Sequence, residues 1–475
     1  MPSSAVEPAG PALGPRLTGL DLAMLGDDAW DDAFMTLMFE FERPVPELEG
    51  VLRAWLLRQL DDPSNLLRLR IAKGPDGKWR YFASDEPSDA LCARMLTASA
   101  APLDVDEMPA KLRAPNADAA WARVAPDGFL FSINHVFVDG VNLWRLMDGL
   151  FLNAAIPSLP RTGYRRGLTE LCSLGALASV ARAGVPRTPL RVGDEPERAY
   201  PSLDVATLRA LRRRLGKQAP FLAGLAGVVC ASVWRELDAA PEPKPPCPNV
   251  LNVGVIAAFD VPGSKHFNDF GVVPLAVRRP PRGGALADDA LAIARQAAPQ
   301  LRARAPIAVL SWSRANVHNS TKGFFTLDVA LSCAPAVADF RDPLALRLDG
   351  GGAPGGAAAR APPGAEPAGA PAAPADDAGR VAKLRKLRAH LYTWTPVFCA
   401  AVSYDSKMDA SLLVRAADVK AHALVERMHA CMTEVKVANE LFAASAVEGG
   451  ARGADNRRVS NLGLQDHQPS RKKEG

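Results

Sequence analysis

No Cys-x-x-Cys pair occurs in this sequence. Its seven cysteines, Cys92, Cys172, Cys230, Cys247, Cys333, Cys399 and Cys431, are odd in number and scattered through 475 residues. That excludes a disulfide framework and a cysteine zinc site, and reduced, mostly buried thiols are expected. The seven histidines are as dispersed. His422 and His429 could share a helix face, but no metal is expected there. No Gly-x-Ser-x-Gly elbow is present, and no Ser-His-Asp set is visible. No uninterrupted apolar run reaches the roughly 18 residues that a membrane-crossing helix needs. The nearest runs are Leu168–Val185, broken by Glu170 and Arg182, and the shorter Phe221–Trp234. Residues 1–15 are rich in Pro, Ala and Gly with no basic start and no apolar run, so no secretory signal is expected. Charge of one sign is also lacking. The sum of 56 Lys+Arg and 52 Asp+Glu is +4, too balanced for nucleic acid as the main partner. An intracellular location follows as the expectation.

What is present suits a globular protein, with 48% hydrophobic and 23% charged residues, long enough for two core-bearing lobes. Strand patterns are expected at Phe34–Glu42, Leu66–Ala72 with Lys78–Phe82, Trp121–Val124 with Gly128–Asn134, Val250–Phe259, Phe270–Val277, Phe324–Ser332, Phe398–Tyr404 and Ser411–Arg415. Three-four apolar spacing predicts helices at Glu47–Leu60, Val141–Phe151, Ser202–Leu215, Phe221–Leu237, Leu286–Arg304 and from Asp418, as its cap, to about Val437. Residues 350–380 are almost wholly Gly, Ala and Pro and cannot bury a core. The expected division is a disordered tail over 1–15, an N-terminal lobe over 16–185, and a C-terminal lobe over 186–345 and 381–445. A disordered insertion at 346–380 and a disordered basic tail at 446–475 complete it. Strands and helices in both halves imply a two-lobed α/β architecture, each lobe a mixed sheet packed with helices, with a ligand site between them.

The chemistry-bearing stretch runs from Phe129 to Gly140. A strand ends at Asn134 and His135, a turn follows at Asp139-Gly140, and a helix pattern begins. A histidine at a strand end is a candidate general base. Asp139 could hold the loop, and Gly140 could permit a backbone conformation that a β-carbon would strain. The plainer alternative is a satisfied histidine at a strand end with Asp139 as a helix N-cap.

His135-x-x-x-Asp139-Gly140 resembles the His-x-x-x-Asp-Gly signature of the chloramphenicol-acetyltransferase-like superfamily. Further segments resemble its wax ester synthase/diacylglycerol acyltransferase members. They are Thr188-Pro189-Leu190 with Glu197 to Ala206, Asn268 to Leu275, and Val402-Ser403-Tyr404-Asp405. The order matches over roughly 16–345 and 385–440. One departure is Asn134, where that family usually carries a first histidine.

The resemblance implies a fold of two chloramphenicol-acetyltransferase-like lobes with an active-site tunnel between them. It implies an O-acyltransferase with acyl-CoA as co-substrate, no bound cofactor, and a long-chain alcohol or diacylglycerol as acceptor. His135 would be the base and Asp139 structural support. Asn134, Asn268 and Gly271 are candidate substrate-side residues, with a strand-entry turn as the alternative for the last two. Trp144 could line an acyl tunnel or lie in an ordinary core. The helix pattern at Leu168–Val185 could touch a membrane or lipid droplet, or be a bundle helix. Two other functions stay open. One is a condensation-type or small-alcohol acyltransferase using another thioester donor. The other is a non-catalytic lipid-binding member of the fold.

Overall fold

The computed structural model describes residues 17, 34–107, 112, 117–138, 140–147, 150–152, 190–216, 219–240, 247–258, 270–304, 327–334, 345–347, 381–391 and 395–460. The strands are β1 (Phe34–Phe41), β2 (Leu69–Lys73), β3 (Trp79–Ala83), β4 (Leu96–Ala98), β5 (Ala120–Ala125), β6 (Gly128–Asn134), β7 (Phe151–Leu152) and β8 (Val192–Ala199). They continue with β9 (Ser202–Asp204), β10 (Val250–Ala258), β11 (Phe270–Arg278), β12 (Val329–Ala334), β13 (Ala345–Arg347), β14 (Val381–Leu391), β15 (Val397–Tyr404) and β16 (Lys407–Ala416). The helices are α1 (Leu48–Leu60), α2 (Ser88–Met95), α3 (Gly140–Leu146), α4 (Val205–Arg214), α5 (Phe221–Ala239), α6 (Leu286–Arg304) and α7 (Ala421–Ser460).

The first sheet has the order β4-β5-β6-β1-β14-β13-β7. Alternation in β1 and β6 decides its two faces. Met35, Leu37, Phe39 and Phe41 join Phe129, Phe131 and Ile133 in one apolar core under α1, α2 and α3. The Phe39 and Phe129 rings stack at 4.5 Å, and Trp144 meets Phe39 edge-on at 6.2 Å within that core. Trp144 is therefore a core residue. The opposite face carries Thr36, Glu40, Ser132 and Asn134, all buried.

The second sheet has the order β11-β10-β12-β15-β16-β8, with β9 paired to β16. Its apolar face packs under α4, α5, α6 and α7. Asp204 caps α4, its carboxylate accepting from Ala206 N–H at 3.0 Å and Thr207 N–H at 3.2 Å. Both sheets mix parallel with antiparallel pairs: β4 runs parallel to β5, and β12 is parallel to both β10 and β15.

The lobes meet at β14. It pairs with β1 from Leu384 to Leu391, but with β13 only over Val381–Lys383. The remaining inward N–H groups need other acceptors. Asp409 Oδ2 accepts from Leu387 N–H and Ser411 Oγ from Ala389 N–H, both at 2.8 Å. Strand β16 thus clasps the first sheet through side-chain oxygens. Asp409 also accepts from Ser202 Oγ at 2.5 Å and from the Tyr404 hydroxyl.

Four expectations change. Strand β14, within the segment assigned to the C-terminal lobe, pairs instead in the first sheet, as does β13, which straddles the boundary at 345 between that lobe and the expected disordered insertion. Asp418 does not cap the last helix. It ion-pairs with Arg191 (Arg191 Nε to Oδ2, 3.0 Å), and Glu197 Oε2 accepts from Ala421 N–H at 2.8 Å instead. That helix continues past Ala446 to Ser460, into the segment expected as a disordered tail. The helix after the motif is shorter than expected, ending at Leu146. The expected insertion core at 350–380 and the apolar stretch 168–185 lie outside the described residues. No helix among the described residues is long and apolar enough to cross a membrane.

Candidate functional site

Strand β6 is held on both sides, by β1 and by β5, so its end is a fixed platform. Across it, Trp121, Ser132, Thr36 and His390 stand in register on one row, and Thr36 Oγ1 shares a 2.8 Å hydrogen bond with Ser132 Oγ. Asn134 lies two residues beyond Ser132, and the strand's ladder closes with Asn134 N–H donating to the Ala119 carbonyl at 3.1 Å.

The chain then turns, and His135 sits half-buried on the turn. Asn134 Oδ1 accepts from Val136 N–H at 2.9 Å, an Asx-type turn. The Asn134 carbonyl accepts from Phe137 N–H at 3.0 Å and the His135 carbonyl from Val138 N–H at 3.3 Å. From β3, the Tyr81 hydroxyl donates to the Val136 carbonyl at 3.0 Å. Val136 and Phe137 are buried with Ile71 and Tyr81 in a small apolar cluster beneath the turn. A histidine mounted this way has little backbone freedom, as a proton-transfer group requires.

Asn134 was expected on the substrate side. The structure buries it to 2% exposure and commits its oxygen to the turn, so it serves as a brace. Gly140 opens α3 and is exposed. Its φ is not in the left-handed region, and among the described residues no atom lies within 4 Å of where a β-carbon would stand, so the steric reason for a glycine is absent. Asp139 and Asn268 lie outside the described residues. Gly271, on the edge strand β11, pairs with Ala257 of β10, at the end of the second sheet away from the clasp at β16.

A shallow recess lies where the lobes meet, with Arg198, Tyr200, His390, Phe398, Ser411 and Leu413 in its lining. His135 is not among its lining residues. Asp106 bonds His390 Nδ1 at 2.6 Å and Arg198 Nε at 3.3 Å. His390, then Arg198, hold the Asp106 carboxyl below its usual range. This cluster ties the segment after β4 to both lobes. Sequence inspection missed it, along with Tyr81 and Asp409, because no local motif marks groups joined only by folding.

Other chemistries find little support. Burial pushes the Cys399 and Cys431 thiols up to about 12, which removes thiolate nucleophiles there at neutral pH. Among the described residues, Cys92, Cys230, Cys247, Cys399 and Cys431 form no disulfide. Among the described residues, no group of three or more His, Cys, Asp or Glu side chains could hold a metal ion.

No protein-family sequence model and no curated protein matches this chain. Solved structures do match. A wax ester synthase/diacylglycerol acyltransferase from Marinobacter aquaeolei is 14% identical over 90% of this chain and 99% of its own, with a TM-score of 0.53. A trichothecene 15-O-acetyltransferase from Fusarium sporotrichioides is 10% identical over 91% and 100%, with a TM-score of 0.57. The starter condensation domain of rhizomide synthetase, solved with C8-CoA and Leu-SNAC, is 13% identical over 90% and 94%, with a TM-score of 0.54. At these identities the likeness is one of fold. The chain has the two-lobed chloramphenicol-acetyltransferase-like fold shared by these acyltransferases and condensation domains.

Proposed function

We propose that this chain is an acyl-CoA-dependent O-acyltransferase of the wax ester synthase/diacylglycerol acyltransferase type, with His135 as general base. The observation that carries the proposal is the braced turn at the end of β6, which fixes His135 through hydrogen bonds to both flanking peptides. The neutral imidazole takes the proton from an acceptor hydroxyl as its oxygen attacks the thioester carbon. The tetrahedral intermediate collapses, the C–S bond breaks, and the proton passes to the departing thiolate. Atoms balance without an acyl-enzyme. Asp139 is assigned the support of the loop, and Asn268 and Gly271 the second lobe's contribution to the site. The acceptors are a long-chain alcohol or diacylglycerol, met by the protein at a membrane or lipid-droplet surface.

The test is release of free thiol from acyl-CoA, dependent on added fatty alcohol and lost in His135→Ala. A second version of the function uses another thioester donor in condensation-type chemistry. The similarity in fold to a starter condensation domain supports keeping the condensation-type version. Exchanging acyl-CoA for an acyl-carrier thioester separates the two. Tight acyl-CoA binding with no turnover over hours would instead support a lipid-binding role.

A further inference from the structure

We infer that Tyr81 is a positioning residue for the base, acting on His135 through the Val136 carbonyl. This rests on His135 as the base proposed above. Tyr81 comes from the β2–β3 hairpin, a separate two-stranded sheet. Its ring is packed opposite Ile71 and 5.9 Å from Phe137, and the residue is 6% exposed. Its hydroxyl reaches the carbonyl of the residue that follows His135.

The two peptide planes flanking Val136 are thereby held from different sides. Asn134 Oδ1 takes the N–H of the first plane, and Tyr81 holds the carbonyl of the second. The first bond is local and travels with the turn. The Tyr81 bond ties the turn to another element, so it fixes where the imidazole stands relative to the rest of the lobe. Val136 is fully buried, so bulk water is poorly placed to replace the hydroxyl. The hairpin is in turn joined to the N-terminal segment, where Leu17 N–H donates to the Trp79 carbonyl at 3.1 Å.

Displacement of a reacting group by about 1 Å can cost on the order of a hundredfold in rate. The test uses Tyr81→Phe in the full chain, which deletes the hydroxyl and keeps the ring packing with Phe137. The expected result is a kcat lower by roughly ten- to a hundredfold, with KM for acyl-CoA and for the alcohol changed less than about twofold. In histidine-labelled protein, the His135 ring resonance, identified by its absence in His135→Ala, shifts in Tyr81→Phe while those of the other histidines hold. Tyr81→Trp, which fills the site without that hydroxyl geometry, gives no recovery. A Tyr81→Phe enzyme with wild-type kcat and an unmoved His135 resonance overturns the inference while His135→Ala is still inactive. A His135→Ala enzyme with wild-type rate overturns the base assignment itself.

Discussion

Asn134→Ala removes the brace of the turn. The lost bond is 2.9 Å long, between an oxygen on a residue 2% exposed and the N–H of Val136, itself fully buried. A buried N–H left without its acceptor costs about 1–3 kcal/mol. The missing side-chain volume adds a smaller packing loss. A total near 2 kcal/mol lowers the melting point of a lobe-sized unit by about 4–8 °C. Differential scanning calorimetry reads that shift, and an acyl-transfer assay at 25 °C, far below the transition, reads the position of His135. The variant is expected to lose activity at a temperature where it is still folded. Asn134→Ser, whose hydroxyl can close a similar but weaker turn, recovers part of both. An Asn134→Ala protein with wild-type melting and turnover would refute the claim that this side chain holds the turn.

Asp328 is fully buried and accepts from Leu190 N–H at 2.9 Å and Asn252 N–H at 2.8 Å, and burial raises its carboxyl to about 6. A carboxyl raised above its unfolded value of about 4 stabilises the fold most below that pH and loses the contribution as pH rises through 6. Asp328→Asn lacks this titration but sets an NH2 against one of the two donors. It should melt below wild type, by a margin that narrows from pH 4 to 7; a constant margin would contradict the assignment. Gly227→Ala would place a β-carbon 2.3 Å from the Ala290 carbonyl oxygen, where α5 and α6 touch. Forcing the helices apart is expected to cost about 1–3 kcal/mol in urea unfolding, and an unchanged midpoint would show that the helices adjust freely.

Much of the fold was legible because burial imposes a period on the sequence. The helix at Leu286–Arg304 and the hairpin into β6 fall where the apolar spacing places them. Strand β14 was not legible, and its β-bulge shows why. Register shifts between Glu40 and Phe41, whose partners are Lys386 and Leu384, so Arg385 is an extra residue. Leu384 and Leu387 then both reach the core at a spacing of three, which imitates a helix and breaks the two-residue alternation of a strand. The first sheet's completion by a late strand is equally invisible locally, since Glu40 meets Arg385 only across the folded chain. In the site, the turn's residues could be read in order, but their roles could not. The burial of Asn134 and its bond to Val136 N–H could not be read, because sequence shows the residue type and not its surroundings. Tyr81 lies 55 positions from Val136, with nothing in the intervening chain to link them.

Acyl transfer by the wild-type and His135→Ala proteins, compared at equal folded concentration, tests His135 as the base. The measured quantity is alcohol-dependent thiol release from acyl-CoA, with ester product identified by mass spectrometry. Ester formation is expected from the wild type, with a rate roughly 100- to 10,000-fold lower in the variant and with acyl-CoA binding and melting temperature preserved. Equal rates in the two proteins, or thiol release that ignores the alcohol, would contradict that assignment.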